Sequence, residues 1–403
     1  MKTKQNNRIL ILAILLIIFS GFISGCWDSR ELNQLGISSG VSFDIDPKTG
    51  DKLMAYQTII PSKVRSSGGS SGAGGEQTGG GMTPAVFLYH TRGKTWNDAL
   101  GNYYTHGDRI QFYPDDLLNI CGEELAKQGL YSVIQTILRF PETRPNSYIM
   151  VARGKGSDIL EVQDGIETVQ GIGVAKQIRL AASFTHYPEV TILDFSNRLI
   201  SKTTAPICPI LGVHEDTQVN GQKIKNVNIV GTAVFKGDKM IGELNKQESR
   251  GFLWVINKVK KGFIAADSPD GSGKINLSII RAKSKIKPEL IDGNINFIVE
   301  ITEEGNLTEY NGKQNLTDKL IKQIEKSEAK QIESDVRAAI DKSFKLNADV
   351  FGFGEAVHRK DKKIWKDLVS RWDEIYPDIN IQIKVKTHIN EVGDINRAII
   401  PQQ

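Results

Sequence analysis

The chain has 403 residues, 39% of them hydrophobic and 24% charged, which excludes collagen-like, polytopic-membrane and wholly disordered classes. Its length can bury a substantial core and sets an expectation of two or three domains. Lys plus Arg number 51 against 47 Asp plus Glu, but Lys2, Lys4 and Arg8 sit in the first 25 residues and leave 48 against 47; a body so near neutral offers nucleic acid no clustered cations.

The N-terminus carries the strongest local signal. After the basic Lys2, Lys4 and Arg8, Ile9 to Phe19 is an unbroken apolar run. That run is short for a spanning helix, which needs about 20 apolar residues, and it has the length of a secretory h-region. Ile23-Ser24-Gly25-Cys26 follows and resembles a bacterial lipobox. Small residues admit the backbone to the peptidase, and the thiol accepts a diacylglyceryl group before cleavage frees an amine for N-acylation. Residues 1–25 are therefore expected to be a lipoprotein signal peptide, with Cys26 the lipidated first residue and the sole anchor. Cys121 and Cys208 lie in apolar surroundings and read first as buried free thiols, with a disulfide between them as the alternative outside the membrane; one pair is no disulfide framework in a chain this long.

Ile37 to Ile45 and Leu53 to Ile60 alternate around Asp46-Pro47-Lys48-Thr49-Gly50-Asp51, which predicts a β-hairpin. Residues 66–82 hold eight glycines and almost no apolar side chain, the composition of a flexible loop. Helical spacing runs over Thr95 to Tyr104 and over Glu123 to Phe140, where Pro141 stops it. Ser147 to Ala152 reads as a strand, and Gly171-Ile172-Gly173-Val174 as a loop entering a helix. A second unit is expected from Val227, where a strand to Phe235 turns at Gly237-Asp238 into Met240. Two more strands follow (Lys274 to Lys287 and Asn294 to Thr302). Leu316, Leu320, Ile324, Ile332, Val336, Ile340 and Phe344 then mark a long helix. Ile364, Trp365, Leu368, Val369 and Trp372 mark another, and Ile379 to Val385 alternate as a last strand. This order predicts an α+β, multi-domain lipoprotein ectodomain with mixed β-sheets flanked by helices. Its divisions are an N-terminal domain over 26–205, a connecting segment over 206–226 and a C-terminal domain over 227–400.

No enzymatic constellation emerges. His90, His106, His186, His214, His358 and His388 are scattered without a His-Glu-x-x-His spacing. Cys208 and His214 lack further ligands at metal spacing. Glu123 and Glu124 are neighbours about 100° apart on a helix, where they complement its dipole rather than pair as acid and base. His106-Gly107-Asp108-Arg109 reads as a solvated turn. No cofactor or metal is expected.

Several segments together resemble the Ger(x)C lipoproteins, the C subunits of nutrient germinant receptors in endospore-forming bacteria. Cys26-Trp27-Asp28-Ser29-Arg30-Glu31-Leu32-Asn33 opens the match directly after the lipobox. Gly122 to Gly129, Leu138 to Arg144, Gly231 to Lys236 and Glu248-Ser249-Arg250-Gly251 continue it. Ala348-Asp349-Val350-Phe351-Gly352-Phe353-Gly354-Glu355, Trp365 and Trp372 complete it. Two departures stand out: the insertion-like 66–82, and Tyr113-Pro114-Asp115-Asp116, which lacks an expected His. The resemblance implies a non-catalytic subunit that works with two integral-membrane partners of A and B type, lipid-anchored on the outer face of the cytoplasmic (inner spore) membrane. A solute-binding lipoprotein of a transporter shares the lipobox but would need two doubly wound lobes. A wall-modifying enzyme would need catalytic residues that are not found.

Overall fold

The computed structural model describes residues 34–59, 86–162, 167–271, 273–291, 294–312 and 314–393. Cys26 with its lipobox, and the Gly-rich 66–82, lie outside the described residues.

The expected hairpin is β1 (Leu35–Ile45) and β2 (Lys52–Ile59), paired antiparallel. Its turn closes because Asp46 Oδ1 accepts the backbone N–H of Lys48 and of Thr49, and Gly50 takes φ +73°. β3 (Val86–Gly93) pairs with β2, and α1 (Trp96–Tyr103) starts at Thr95, whose side chain accepts from Asp98 N. Then come β4 (Ile110–Phe112), β5 (Leu118–Gly122), α2 (Glu123–Gln128), α3 (Tyr131–Arg139), β6 (Tyr148–Ala152), α4 (Gly156–Glu161) and α5 (Gln170–Ser183). α6 (Ile192–Leu199) leads to β7 (Ile207–Thr217), β8 (Lys223–Lys236), β9 (Lys239–Leu244) and α7 (Lys246–Val255).

One expectation is corrected here. Glu123 to Phe140 is not one helix, because Gly129 takes φ +133° and separates α2 from α3. The β8–β9 turn forces the break: Asp238 O accepts Leu130 N at 2.9 Å, and Asp238 Oδ2 accepts Tyr131 N at 3.0 Å. A Cβ at Gly129 would lie 2.4 Å from that same carboxylate. Residues 206–226 supply β7 and its turn into β8. Strand pairing places β8 and β9 in the first sheet.

Among the described residues β1 to β9 form a mixed sheet in the order β3-β2-β1-β5-β6-β7-β8-β9, with β4 beside β1. The pairs β1–β5, β5–β6 and β6–β7 are parallel, and the flanking pairs are antiparallel. One face buries apolar residues of α1, α2, α3, α6 and α7, and the other those of α4 and α5. The second sheet has the order β10 (Gly262–Asp267), β11 (Lys274–Ile291), β12 (Asn294–Tyr310) and β13 (Asn380–Glu391). Between β12 and β13 run α8 (Asp318–Lys345), α9 (Phe353–Lys360), α10 (Lys362–Leu368) and α11 (Trp372–Ile375). That crossover makes β12–β13 parallel. The helix expected around Trp365 and Trp372 is two short helices, yet the two rings still meet edge to face at 5.8 Å. One apolar cluster extends from Val41 to Ile381, so both sheets share a core. No described helix is long and apolar enough to cross a membrane.

Candidate functional site at the junction of the two sheets

Segments that the resemblance singled out converge where α7, which follows the first sheet, packs on α8, which covers the second. Asn245 and Glu248 form a reciprocal capping box that fixes where α7 begins. On α7, Arg250 Nε donates to Asp335 Oδ2 at 2.6 Å, and Asp335 is 1% exposed. One residue later α7 touches α8 itself: a Cβ at Gly251 would sit 1.9 Å from Asp335 O, so the helix pair needs glycine there. Ser249 Oγ lies 2.8 Å from Thr232 Oγ1 and ties α7 back to β8.

Asp349 organises the other half of the junction. Its Oδ1 accepts Gly352 N at 2.8 Å and Phe353 N at 3.0 Å, and its Oδ2 accepts Gly354 N at 2.8 Å. Gly352, at φ +79°, supplies the left-handed step that folds these three N–H groups around one carboxylate. Burial pushes the Asp349 carboxyl up to about 6, an effect only partly offset by the three N–H donors and the Arg198 charge. Arg198, from α6, donates through Nη1 to Ala205 O at 3.0 Å and Val350 O at 2.8 Å. Ala205 N in turn donates to Asp349 O. Phe353, held by this loop, packs at a tilt against Phe297 of β12, and Phe351 against Phe252 of α7. The arrangement offers no free nucleophile or base; chemically it is a clamp that fixes two sheets in one orientation.

The residues weighed for chemistry do not gather. Cys121 and Cys208 are buried and free, on strands β5 and β7 that flank β6. Two strand spacings come to about 10 Å, too far for a disulfide, and burial raises both thiols. His214 is exposed beside Asp216, six residues along β7 from Cys208. Glu123 stands in the first turn of α2 and forms an i,i+4 ion pair with Lys127. Among the described residues no group of three His, Cys, Asp or Glu is placed to hold a metal.

Sequence reasoning missed a buried acid pair, Glu303 on β12 and Glu328 on α8, which are 2% and 0% exposed. A signal existed: Glu328 fills the one missing step in the series Leu320, Ile324, Ile332, Val336. None of the four carboxyl oxygens has a hydrogen-bond partner outside the pair. Burial raises both carboxyls, and the Glu328 charge raises Glu303 further. The folded state therefore holds protons that the unfolded state has released, so this pair's stabilisation is full below about pH 4.5 and is lost as pH rises. Asp116 and Asp349, also raised by burial, act with the same sign. We expect Glu328→Gln to flatten the decline in melting temperature between about pH 5 and about pH 8, and to add roughly 2 kcal/mol at the upper end. An unchanged slope in a pH series of thermal melts would refute this.

The N-terminal part, residues 28–213, matches the family model described as the spore germination protein N-terminal domain. Residues 230–393 match the model described as spore germination B3/GerAC like, C-terminal. Spore germination protein KC of Bacillus subtilis (strain 168) is 28% identical over 96% of this chain and 97% of its own. Spore germination protein B3 of the same organism is 23% identical over 98% of this chain and all of its own. The crystal structure of the GerBC protein shares the fold, with a TM-score of 0.52 at 18% identity over 90% of this chain and 100% of that one. With both models matched in order and relatives aligned from end to end, the chain belongs to the Ger(x)C family of spore germination proteins.

Proposed function

We propose that this protein acts in spore germination as the lipid-anchored, non-catalytic subunit of a nutrient germinant receptor. Cys26 holds it on the outer face of the cytoplasmic (inner spore) membrane, beside two integral-membrane subunits of A and B type. The observation that carries this reading is similarity to spore germination proteins along nearly the whole chain, in a sequence that opens on a lipobox. In this reading 26–205 and 227–400 are the two family units, joined through 206–226. The clamp around Asp349 and the α7–α8 contact make them one rigid body, suited to transmitting or bracing a partner's movement rather than closing on a substrate. The raised acids Glu303, Glu328 and Asp349 support a non-catalytic role, because they are enclosed by packing. The test is to purify the tagged chain from spore membranes in mild detergent. Two polytopic membrane proteins should co-purify in stoichiometric amount; recovery of the chain alone would contradict the complex.

A further inference from the structure

The second sheet has one face against α8 and one face open. Along β11 the open face presents Arg281, Lys283, Lys285 and Lys287, and along β13 Lys384 and Lys386, all exposed. The register sets Lys285, Glu300 and Lys384 in one row and Lys283, Thr302 and Lys386 in the next. At about 3.3 Å per residue and about 4.8 Å between strands, the six cations occupy an area of about 20 by 10 Å. Two carboxylates answer them: Glu304 pairs with Arg281 and Glu300 with Lys287, each at 2.6 Å. Lys283, Lys285, Lys384 and Lys386 have no ion-pair partner among the described residues. Glu289, two residues beyond Lys287 on the same side of β11, adds a third carboxylate, so six cations against three carboxylates leave this face at +3. Neighbouring charges lie within a Debye length of about 8 Å, so an approaching surface meets them as a unit.

We propose that this open face of β11–β13 docks on an anionic lipid surface. The inference rests on the membrane anchorage proposed above, which keeps the chain beside such a surface. Five of the six cations are lysine, and no Phe, Tyr or Trp stands among them on β11 to β13, the exposed Phe263 lying on the neighbouring β10. Protein interfaces favour aromatic residues and Arg and are depleted in Lys, whereas compact, hydrated ammonium groups on flexible stems suit adsorption to headgroups. The four uncompensated lysines also form no groove that would select a peptide.

The test reconstitutes the lipidated chain in vesicles of phosphatidylglycerol or of phosphatidylcholine, then acetylates accessible amines and reads each lysine by mass spectrometry. Flotation reports the anchor, and labelling reports the face. In phosphatidylglycerol, Lys283, Lys285, Lys384 and Lys386 should label roughly fivefold less than in phosphatidylcholine, with protection lost in high salt. Exposed Lys48 and Lys239, on other elements, should label alike in both. Flotation with both lipids and equal labelling of the four lysines would overturn the docking proposal and leave the anchor standing. Flotation only with phosphatidylglycerol, with the four protected, would uphold the face and remove the anchor. Flotation with neither lipid would overturn both.

Discussion

Asp349→Ala should cost the folded protein about 3–5 kcal/mol. The substitution leaves the N–H groups of Gly352, Phe353 and Gly354 buried without their acceptor, and each such orphan costs about 1–3 kcal/mol. Loss of the carboxylate also leaves Arg198, still bonded to Val350 O, without the larger of the two acidic charges that compensate it. Such a loss is large against a total stability of about 5–15 kcal/mol. Asp349→Asn keeps one acceptor oxygen but turns an amide donor toward a backbone donor, so it should lie between the variant and the parent. It should also remove the part of the pH dependence that belongs to Asp349. Thermal melts and denaturant titration measure both. A change below about 0.5 kcal/mol for the alanine variant would show that the loop closes without its carboxylate.

Much of the architecture was legible, because alternation and helical spacing are imposed by one-sided burial. β1 and β2, β8 and β9, α8 and β13 lie where their patterns put them. The misses have local causes. At Glu123 to Phe140 the apolar stripe continues through Gly129, and only Asp238, more than a hundred residues away, breaks the helix. The pattern over 206–226 is apolar first and charged afterwards because β7 begins in the core and ends in solvent. A chain read without its partner strand gives no reason to extend the first sheet there. Asp349 lies within a segment that carries the family resemblance, but nothing local shows that its carboxylate gathers the three N–H groups that follow. Arg198 belongs to no segment quoted in the resemblance and becomes meaningful only through Val350 O, 152 residues on.

In high salt, anchoring should be all-or-none at Cys26. Each buried methylene of a lipid chain contributes about 0.8 kcal/mol, so a single chain binds marginally and a diacylglyceryl group holds firmly. The basic face of β11–β13 adds an attraction of about 1 kcal/mol per uncompensated cation near an anionic surface, and salt screens it. High salt therefore separates the two contributions. Cys26→Ala should block lipid transfer and the cleavage that depends on it, although residues 1–25 then remain attached and retain their short apolar run. Replacing 1–26 by a conventional secretion signal fused at Trp27 removes that ambiguity. In high salt and without its partner subunits, that chain should be released as a folded, soluble protein, and spores carrying it should fail to germinate in response to nutrient. If it instead stays with membranes in high salt, or supports normal nutrient-triggered germination, the account of a lipid-anchored receptor subunit is wrong.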